Sequence, residues 1–434
     1  MNSFFASCEQ QENPSLRGKP IAVVPMDSDA TSVIAASYEA KAFGIRTGTN
    51  VGMAKRLCPG LMLISVQSGH YIEYHRKIVE TVASFLPNPH VLSIDEMACR
   101  LWGNEDTDAA AVRMGRQIKA AIRETVGEYL YCSVGLAPNV FLAKVASDLQ
   151  KPNGLVLLRS QDIPDALATL PIGELPGIGK KMRLRLARWG ILTIPQLYAA
   201  TPAELRRAWG GVVGERWWYM LRGYEEADYA GMARPESPKS IGHSHVLGPE
   251  LRSDSGAERV LLRLTGKAAG RLRRKECVAT GVHVALTYIN DRTFAKKTWT
   301  VSSEHRTPAD DTLAWIGAIR ALWTARPPTP IGWRPQKVGM TLTGIIPQRD
   351  RTLSLFEHDR RRSNLAAIMD RINGCYGPNH VEVASVYIAR DLAPERIAFS
   401  KITDDDRERY HDEDWDEVGL GRLRAGTTGW GAGA

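Results

Sequence analysis

The chain has 434 residues, enough for about two to four domains that each bury their own core. Hydrophobic residues make up 44% and charged residues 24%, and neither a signal peptide nor a long apolar run is apparent, which argues against a secreted or membrane-spanning protein. The net charge is +8, but residues 404–417 hold nine acids and two arginines, a net of −7, which leaves +15 for the remainder. The positive charge of the remainder suggests a polyanionic partner such as nucleic acid. A positive net charge that serves no such partner is an equal alternative.

Six cysteines are scattered along the chain without a C-x-x-C pair. This spacing argues against a zinc site or a disulfide framework, and it indicates a reducing cytoplasm.

The first 160 residues mix short β-branched runs with amphipathic helical patterns. Strands are predicted at 21–24 and 61–66, and helices at 71–85, 108–126 and 139–149. The turn Lys151-Pro152-Asn153-Gly154 closes this region.

The rest of the chain divides into three further segments. Residues 158–228 show only short helical patterns, and 229–239 has the composition of an exposed linker. Residues 240–346 return to strands around one long basic helix at about 255–275, and a strand-poor tail follows. The expected fold class is therefore α+β: an α+β body, a small helical domain, a second α+β domain and a tail.

Two aromatic side chains, Phe4 and Phe5, lie where a first strand is predicted to run into a helix. A role as core anchors is the simple interpretation, above all for Phe4. Tyr38 and Lys41 are three residues apart and would share one face of a helix. A phenol beside an ammonium suits a triphosphate, although an exposed helix face gives the same pattern.

Adjacent carboxylates, Asp95 and Glu96, follow the apolar pair Val91-Leu92. Ionised neighbours repel, and on a straight strand they would point to opposite faces, so both can serve one site only at a bend or with separate tasks. Hard divalent cations such as Mg²⁺ suit one or two carboxylates combined with substrate phosphate oxygens. In isolation, such a pair is more often a solvated turn.

Two basic segments are candidates for contacts with DNA. Leu175-Pro176-Gly177-Ile178-Gly179-Lys180 is a helix-hairpin-helix signature, in which Gly177 and Gly179 let backbone N–H groups approach a phosphate, while Lys180 and Lys181 add charge. An ordinary glycine-rich turn is the alternative. The run Arg271, Arg273, Arg274 and Lys275 suits a surface that tracks a DNA backbone, or else a solvated helix face.

Taken together, these strings resemble the Y family of translesion DNA polymerases, in particular its bacterial DinB/UmuC-like members. The matching pieces span residues 1–180 almost continuously and are MNSFFAS, NPSLRGKPIAV, ASYEAKAFGIRTG, LSIDE, SVGLAPN, FLAKVASDLQKPNG and LPGIG. The resemblance is weaker afterwards and returns around residues 337–375.

The resemblance implies a right-hand polymerase. It assigns 1–8 and 68–157 to the palm, 9–67 to the fingers, 158–228 to a helix-hairpin-helix thumb, 229–239 to a linker, 240–346 to an α+β little finger and 347–434 to a tail.

The resemblance also implies roles for individual residues. Asp95 would bridge two Mg²⁺ ions, Glu96 would serve the ion near the primer hydroxyl, and the Met1 backbone carbonyl would complete the metal site. Phe5 matches the steric gate against a 2′-hydroxyl, with Phe4 beside it in the nucleotide site.

The residues that match the triphosphate grip are Tyr38, Lys41 and Lys151. Lys41 stands where arginine is common, and Ala35 stands where a threonine often adds a contact.

The family's first-strand metal ligand is an aspartate immediately before the position of Met1. Asn2 does not replace it, because that position faces elsewhere in the family. We expect a start assigned too late, in preference to a catalytically impaired form, and the genomic DNA upstream of Met1 would decide between them.

The tail contains Thr352-Leu353-Ser354-Leu355-Phe356, which resembles the peptide by which bacterial polymerases bind the sliding clamp. Leu353, Leu355 and Phe356 would be its apolar anchors, although threonine replaces the usual glutamine and a short strand is an equal alternative.

The expected function is therefore translesion DNA synthesis by a nucleoid-associated monomer. Its partners would be damaged primer–template DNA, deoxynucleoside triphosphates and the sliding clamp, without a membrane. A non-catalytic scaffold and a generic helix-hairpin-helix repair factor are alternatives, but neither needs the carboxylates or the phosphate-gripping lysines.

Overall fold

The computed structural model describes residues 1–29, 31–103, 107–224, 238–352, 357–377, 379–389 and 392. The described residues up to 224 belong to one compact unit, and those from 238 onward belong to a second.

The first unit holds seven strands and ten α-helices among its described residues. The strands are β1 Ile21–Val24, β2 Ala35–Ala36, β3 Met62–Ser65, β4 His90–Val91, β5 Met97–Ala98, β6 Val134–Leu136 and β7 Leu155–Leu157. The helices are α1 Phe4–Glu12, α2 Tyr38–Ala42, α3 Val51–Leu57, α4 Ser68–Ala83, α5 Asp108–Ala121, α6 Val140–Leu149, α7 Lys180–Ala187, α8 Ile194–Ala199, α9 Pro202–Trp209 and α10 Val212–Leu221. The predicted strands at 21–24 and 61–66 and the three predicted helices are confirmed, with α5 continued by a π-helical turn at Ile122–Val126. The first strand expected before Phe4 is not present, because the described residues 1–3 form no strand and α1 begins at Phe4.

A three-stranded sheet of order β2-β1-β3 forms the centre of residues 20–66. All four residues of β1 are buried, as expected of a β-branched strand covered on both faces. β1 pairs antiparallel with β2 and parallel with β3. This sheet carries α2, the helix that presents Tyr38 and Lys41.

Two further strand pairs position the carboxylates and α6. β4 and β5 form an antiparallel hairpin, and β6 pairs in parallel with β7. A methyl group added at Gly135 in β6 would lie 1.9 Å from the Ala143 carbonyl oxygen, so only glycine allows α6 to pack this closely on the strand.

Residues 158–224 are helical without a named strand, as predicted, and enclose a core that includes Leu186, Leu197 and Trp217. The segment before Gly177 is only a 3₁₀ turn, Ile172–Glu174, so the first arm of the predicted hairpin motif is shorter than an α-helix.

The second unit is an antiparallel sheet of order β10-β9-β11-β8 with helices on one face. The elements are β8 Ser240–Val246, α11 Asp254–Arg274, β9 Cys277–Asn290, β10 Lys296–Ala309, α12 Thr312–Thr324, β11 Trp333–Thr343, β12 Ile346–Pro347, α13 Glu357–Tyr376 and α14 Ala384–Tyr387. The long basic helix predicted at about 255–275 is confirmed as α11. A second helix, α12, was not predicted; it also packs on the sheet, with Trp315 fully buried.

The described residues after 347, which the resemblance assigns to a tail, pack on the second unit. Residues after β12 return to the helix layer, where Arg263 of α11 forms a buried ion pair with Glu382 and Arg273 pairs with Asp370 of α13. Val386 of α14 belongs to the same apolar core as α11. The segment therefore completes the second unit, because it neutralises arginines that α11 buries.

Candidate active site

The Asp95–Glu96 pair lies at the bend between β4 and β5. The backbone N–H groups of Leu92 and Ser93 donate to the Glu96 carbonyl oxygen at 2.9 and 3.1 Å, which fixes the turn. The Ser93 hydroxyl donates to Asp95 Oδ1 at 2.8 Å. Both carboxylates are half-buried. The predicted bend is therefore present, and it lets neighbouring carboxylates serve one site.

Met1 lies beside this turn, and Asn2 points away from it. The Met1 amino nitrogen donates to the Asp95 carbonyl oxygen at 2.5 Å. The buried Asn2 side chain instead donates to Ser133 Oγ at 3.1 Å and accepts from the Asn153 N–H at 2.9 Å. Asn2 thus orders the turn after Lys151 and supplies nothing to the carboxylates, in agreement with the sequence interpretation.

A chain of ion pairs, which sequence analysis missed, joins Glu96 to Lys151. The Lys144 ammonium contacts Glu96 Oε1 and lies 3.5 Å from Asp148 Oδ2. Asp148 Oδ1 is 2.5 Å from the Lys151 ammonium. Burial by itself lowers the pKa of Lys144, but the hydrogen bond and charge of Glu96, together with Asp148, outweigh it and raise that pKa. The i,i+4 spacing of Lys144 and Asp148 was the available signal.

Tyr38 and Lys41 share one face of α2, as predicted. The Lys41 ammonium lies 4.3 Å from the centroid of the Tyr38 ring and donates to Ser3 Oγ at 2.6 Å. Ser3 precedes α1 and has a left-handed backbone with φ 47°, a conformation that is rare outside glycine. This backbone brings the first turn of α1 next to the two side chains.

The neighbourhood of Lys41 is electropositive. Burial lowers the pKa of Lys41, and the nearby cations Lys151 and Arg46 lower it further. Burial also raises the pKa of Tyr38. The ammonium groups of Lys41 and Lys151 with the exposed Arg46 guanidinium therefore form a cationic cluster suited to a polyanion. Arg46, in the string GIRTG, was not singled out from the sequence.

Phe4 and Phe5 both lie in the core of the first unit, 4% and 8% exposed. The role of Phe4 as a core anchor is confirmed. The Phe5 ring stacks on Tyr71, with centroids 4.4 Å apart and planes inclined by 20°. The gate role of Phe5 stays a prediction, and the stack identifies Tyr71 as the side chain that supports it.

The hairpin signature at 175–180 has the expected backbone. Gly177 has φ +95°, and Gly179 is the N-cap residue directly before α7, which begins at Lys180. Lys180 and Lys181 are exposed at the N-terminus of that helix. The motif therefore presents N–H groups and cations on one surface, as a phosphate contact requires.

The residues of the basic run on α11 are not all exposed for contact with DNA. Arg273 is 13% exposed and donates to both Asp370 oxygens, at 2.6 and 2.9 Å, which argues against its assignment to DNA; that assignment stays a prediction. An arginine held by an internal carboxylate contributes no net charge to a phosphate. Arg271, Arg274 and Lys275 remain predictions, and Leu353, Leu355 and Phe356 lie outside the described residues.

Within the described part of the chain, no group of three or more His, Cys, Asp and Glu side chains is arranged to hold a metal ion. The Asp95–Glu96 pair nevertheless offers hard oxygen ligands, and the Lys144 ammonium shows that Glu96 already binds a cation. Two carboxylates fit a divalent ion whose remaining ligands come from substrate and water.

Comparisons with known proteins agree with this site. The impB/mucB/samB family model matches residues 1–148, and the model of its C-terminal domain matches residues 238–355. DNA polymerase IV of Moorella thermoacetica is 35% identical over 382 residues, which are 87% of this chain and 92% of that protein. The chain belongs to the Y family of DNA polymerases.

A second relative of this Y-family chain is DNA polymerase IV of Pelotomaculum thermopropionicum, 32% identical over 385 residues, which cover 88% of this chain and 92% of that protein. Among solved structures, the Y-family DNA polymerase chimera Dbh-Dpo4-Dbh is similar with a TM-score of 0.64 and 24% identity, covering 80% of this chain and 97% of that one. The expected α+β polymerase fold and the DNA polymerase class are therefore confirmed.

Membership of the Y family also implies dependence on a divalent metal ion. No helix among the described residues is long and apolar enough to span a membrane.

Proposed function

We propose that this Y-family polymerase copies damaged DNA templates by nucleotidyl transfer at the Asp95–Glu96 turn. The observation that carries the proposal is the direct connection of this turn, through Lys144 and Asp148, to the cationic cluster around Lys41 and Lys151. A carboxylate pair for metals beside cations for a triphosphate is the arrangement that phosphoryl transfer needs.

The metal ions we propose are two Mg²⁺, held by Asp95, Glu96 and the Met1 backbone carbonyl. When bound, they would stabilise the attacking and leaving oxygens of the transferred phosphoryl group. The position of Met1 against the Asp95 carbonyl supports its inclusion. Magnesium suits a site with few protein carboxylates because it takes its other ligands from phosphate and water.

Tyr38, Lys41 and Lys151 would grip the triphosphate, with Arg46 as a further cation. The cations that lower the pKa of Lys41 would be neutralised by the bound phosphates, so nucleotide binding relieves their mutual repulsion. Phe5 would close the site beneath the sugar, with Phe4 anchoring the same helix in the core.

Two surfaces support contact with primer–template DNA. The N-terminus of α7 offers backbone N–H groups from the Gly177–Lys181 turn together with two lysines. In the second unit, the face of the sheet opposite the helices is polar, with His283 bonded to Ser302, Thr287 bonded to Thr298, and Lys337 exposed. We propose this polar sheet face as the main backbone-tracking surface, in place of the partly neutralised run on α11.

The experiment is primer extension past an abasic site by the 434-residue chain and by a form extended upstream of Met1 with the expected aspartate. Asp95→Ala and Glu96→Ala should each lower the rate by roughly 10²–10⁴-fold, because each removes several kcal/mol of charge stabilisation. Asp108→Asn, on an exposed ion pair with Arg159, is the matched control. Parent-like rates in both carboxylate variants would remove the proposal, whereas no extension by either the 434-residue chain or the extended form would favour the scaffold alternative.

A further inference from the structure

Glu96, Lys144, Asp148 and Lys151 form a chain of ion pairs in which the charges alternate in sign. Lys144 contacts the Glu96 carboxylate and also lies 3.5 Å from Asp148, and Asp148 lies 2.5 Å from Lys151. The side chains are between 28% and 37% exposed, so water screens them less than a pair on the open surface. Each of the two middle residues therefore has two partners of opposite charge.

This arrangement follows from the placement of α6 against the carboxylate hairpin. Lys144 and Asp148 are four residues apart and Asp148 and Lys151 three apart, so the three side chains lie along one edge of the helix and the turn that follows. Glu96 reaches the same edge from the hairpin. The outer groups are those assigned above to the metal and to the triphosphate.

We propose that Lys144 and Asp148 are positioning residues that couple cation binding at Glu96 to the release of Lys151 for the nucleotide. The inference rests on the proposed function, because it takes Glu96 as a metal ligand and Lys151 as a triphosphate contact.

The physical reason is competition for shared partners. A divalent cation at Glu96 displaces the Lys144 ammonium, which then turns fully to Asp148. Once Asp148 is paired with Lys144, its ion pair with Lys151 is weaker. The Lys151 ammonium can then bind a phosphate. In the absence of the cation, Lys144 neutralises Glu96 and Asp148 retains Lys151. Two sites that share an ion-pair chain in this way are linked, and the linkage is reciprocal.

The test measures Mn²⁺ binding without nucleotide, by electron paramagnetic resonance of the free ion, on the full chain. Subtracting the binding of a Glu96→Gln variant isolates the ion held by Glu96 from ions held by other acids. Lys144→Met should bind Mn²⁺ roughly 3- to 10-fold more tightly, because the competing ammonium is removed. Asp148→Asn should bind it more weakly by a similar factor, because Lys144 is left with Glu96 alone.

The double variant separates coupling from the general electrostatic field. If Asp148 acts on Glu96 through Lys144, then Asp148→Asn has little effect in the Lys144→Met background. Additive effects of the two changes would overturn the proposal, because they would show that each residue acts only as a nearby charge. Lys77→Met, which breaks the exposed pair with Glu73 on α4, is the matched control and should leave Mn²⁺ affinity unchanged.

A second measurement keeps the proposal falsifiable if Lys144→Met does not fold. Asp148→Asn should bind dATP in EDTA several-fold more tightly than the parent in equilibrium dialysis, because Lys151 no longer has its carboxylate partner. Unchanged or weaker binding would contradict the release of Lys151. Neither measurement requires synthesis, so a parent that fails to extend primers but shows the non-additive Mn²⁺ effect refutes only the proposed function.

Discussion

The Phe5 ring stacks on the Tyr71 ring, which is itself held at its hydroxyl. Tyr71 is 1% exposed, and its hydroxyl donates to Glu9 Oε1 at 2.5 Å. Because Glu9 and Phe5 both belong to α1, the contact ties one helix to α4 at two points. The side chain proposed as the sugar gate is thus supported from behind by a fixed aromatic surface.

Phe5→Ala should admit ribonucleotides while retaining much of the deoxynucleotide activity. The missing ring leaves room for a 2′-hydroxyl, and we expect discrimination against ribonucleotides to fall roughly 10- to 200-fold. The measurement is primer extension with ribonucleotides alone. Phe4→Ala is the control, since it should destabilise the protein by about 3–5 kcal/mol without relaxing sugar selection. Undiminished exclusion of ribonucleotides by Phe5→Ala would show that another residue is the gate.

Glu9→Gln should stabilise the protein near neutral pH and lose this advantage in acid. Burial raises the pKa of Glu9, with the Tyr71 hydrogen bond opposing the shift, so the folded state holds its proton at a higher pH than the unfolded chain. Protonated Glu9 contributes to the free energy of unfolding. This contribution is complete below the pKa of about 4.5 that Glu9 has in the unfolded chain, and it is lost as pH rises through the higher pKa that Glu9 has in the folded protein. Glutamine keeps an oxygen for Tyr71 and carries no charge. Melting temperatures from pH 4 to 8 test this, and a constant difference between parent and variant would contradict it.

Lys296→Ala with Lys337→Ala should weaken DNA binding and flatten its salt dependence. Both lysines are exposed on strands of the polar sheet face. Removal of each lysine–phosphate interaction should reduce the slope of log affinity against log salt by about 0.9. Fluorescence anisotropy with primer–template DNA measures this slope. Arg320→Ala, on the exposed side of α12, should leave it unchanged, and equal effects of both variants would argue against the sheet face.

Arg273→Ala should destabilise the second unit instead of weakening DNA contacts. It leaves Asp370 and the Asp310 carbonyl oxygen without their guanidinium partner, at a cost of about 1–3 kcal/mol. Urea unfolding measures this cost. Arg274→Ala is the comparison, because Arg274 is exposed in the same run. A change in salt slope for Arg273→Ala at unchanged stability would restore its role in DNA binding.

Leu355→Ala with Phe356→Ala should abolish stimulation by the sliding clamp while leaving clamp-free synthesis intact. Apolar anchors of this kind contribute about 2 kcal/mol or more at a hot spot. The measurement compares primer extension with and without clamp. If the clamp stimulates primer extension by the double variant as strongly as by the parent, the segment does not bind the clamp and has a structural role.

Local spacing alone determined several features of this protein. Tyr38 and Lys41 meet because they are three apart on a helix. The adjacent carboxylates Asp95 and Glu96 allowed either a bend or separate tasks, and the structure shows the bend between β4 and β5. Residues 21–24 form a buried strand because four apolar residues in succession can satisfy both faces of a covered sheet. Such patterns depend on neighbours within a few residues, which the sequence displays directly.

Only the tertiary structure decided which charges are paired. Lys144 meets Glu96 from 48 residues away, and Arg273 meets Asp370 from 97 residues away. A run of arginines looks the same in sequence whether it faces solvent or neutralises a carboxylate, because the partner lies in a distant segment. The stacking of Phe5 on Tyr71 could not be predicted from the sequence for the same reason, because the two rings belong to different helices. Charges and rings acquire their roles here from long-range packing, which no local pattern encodes.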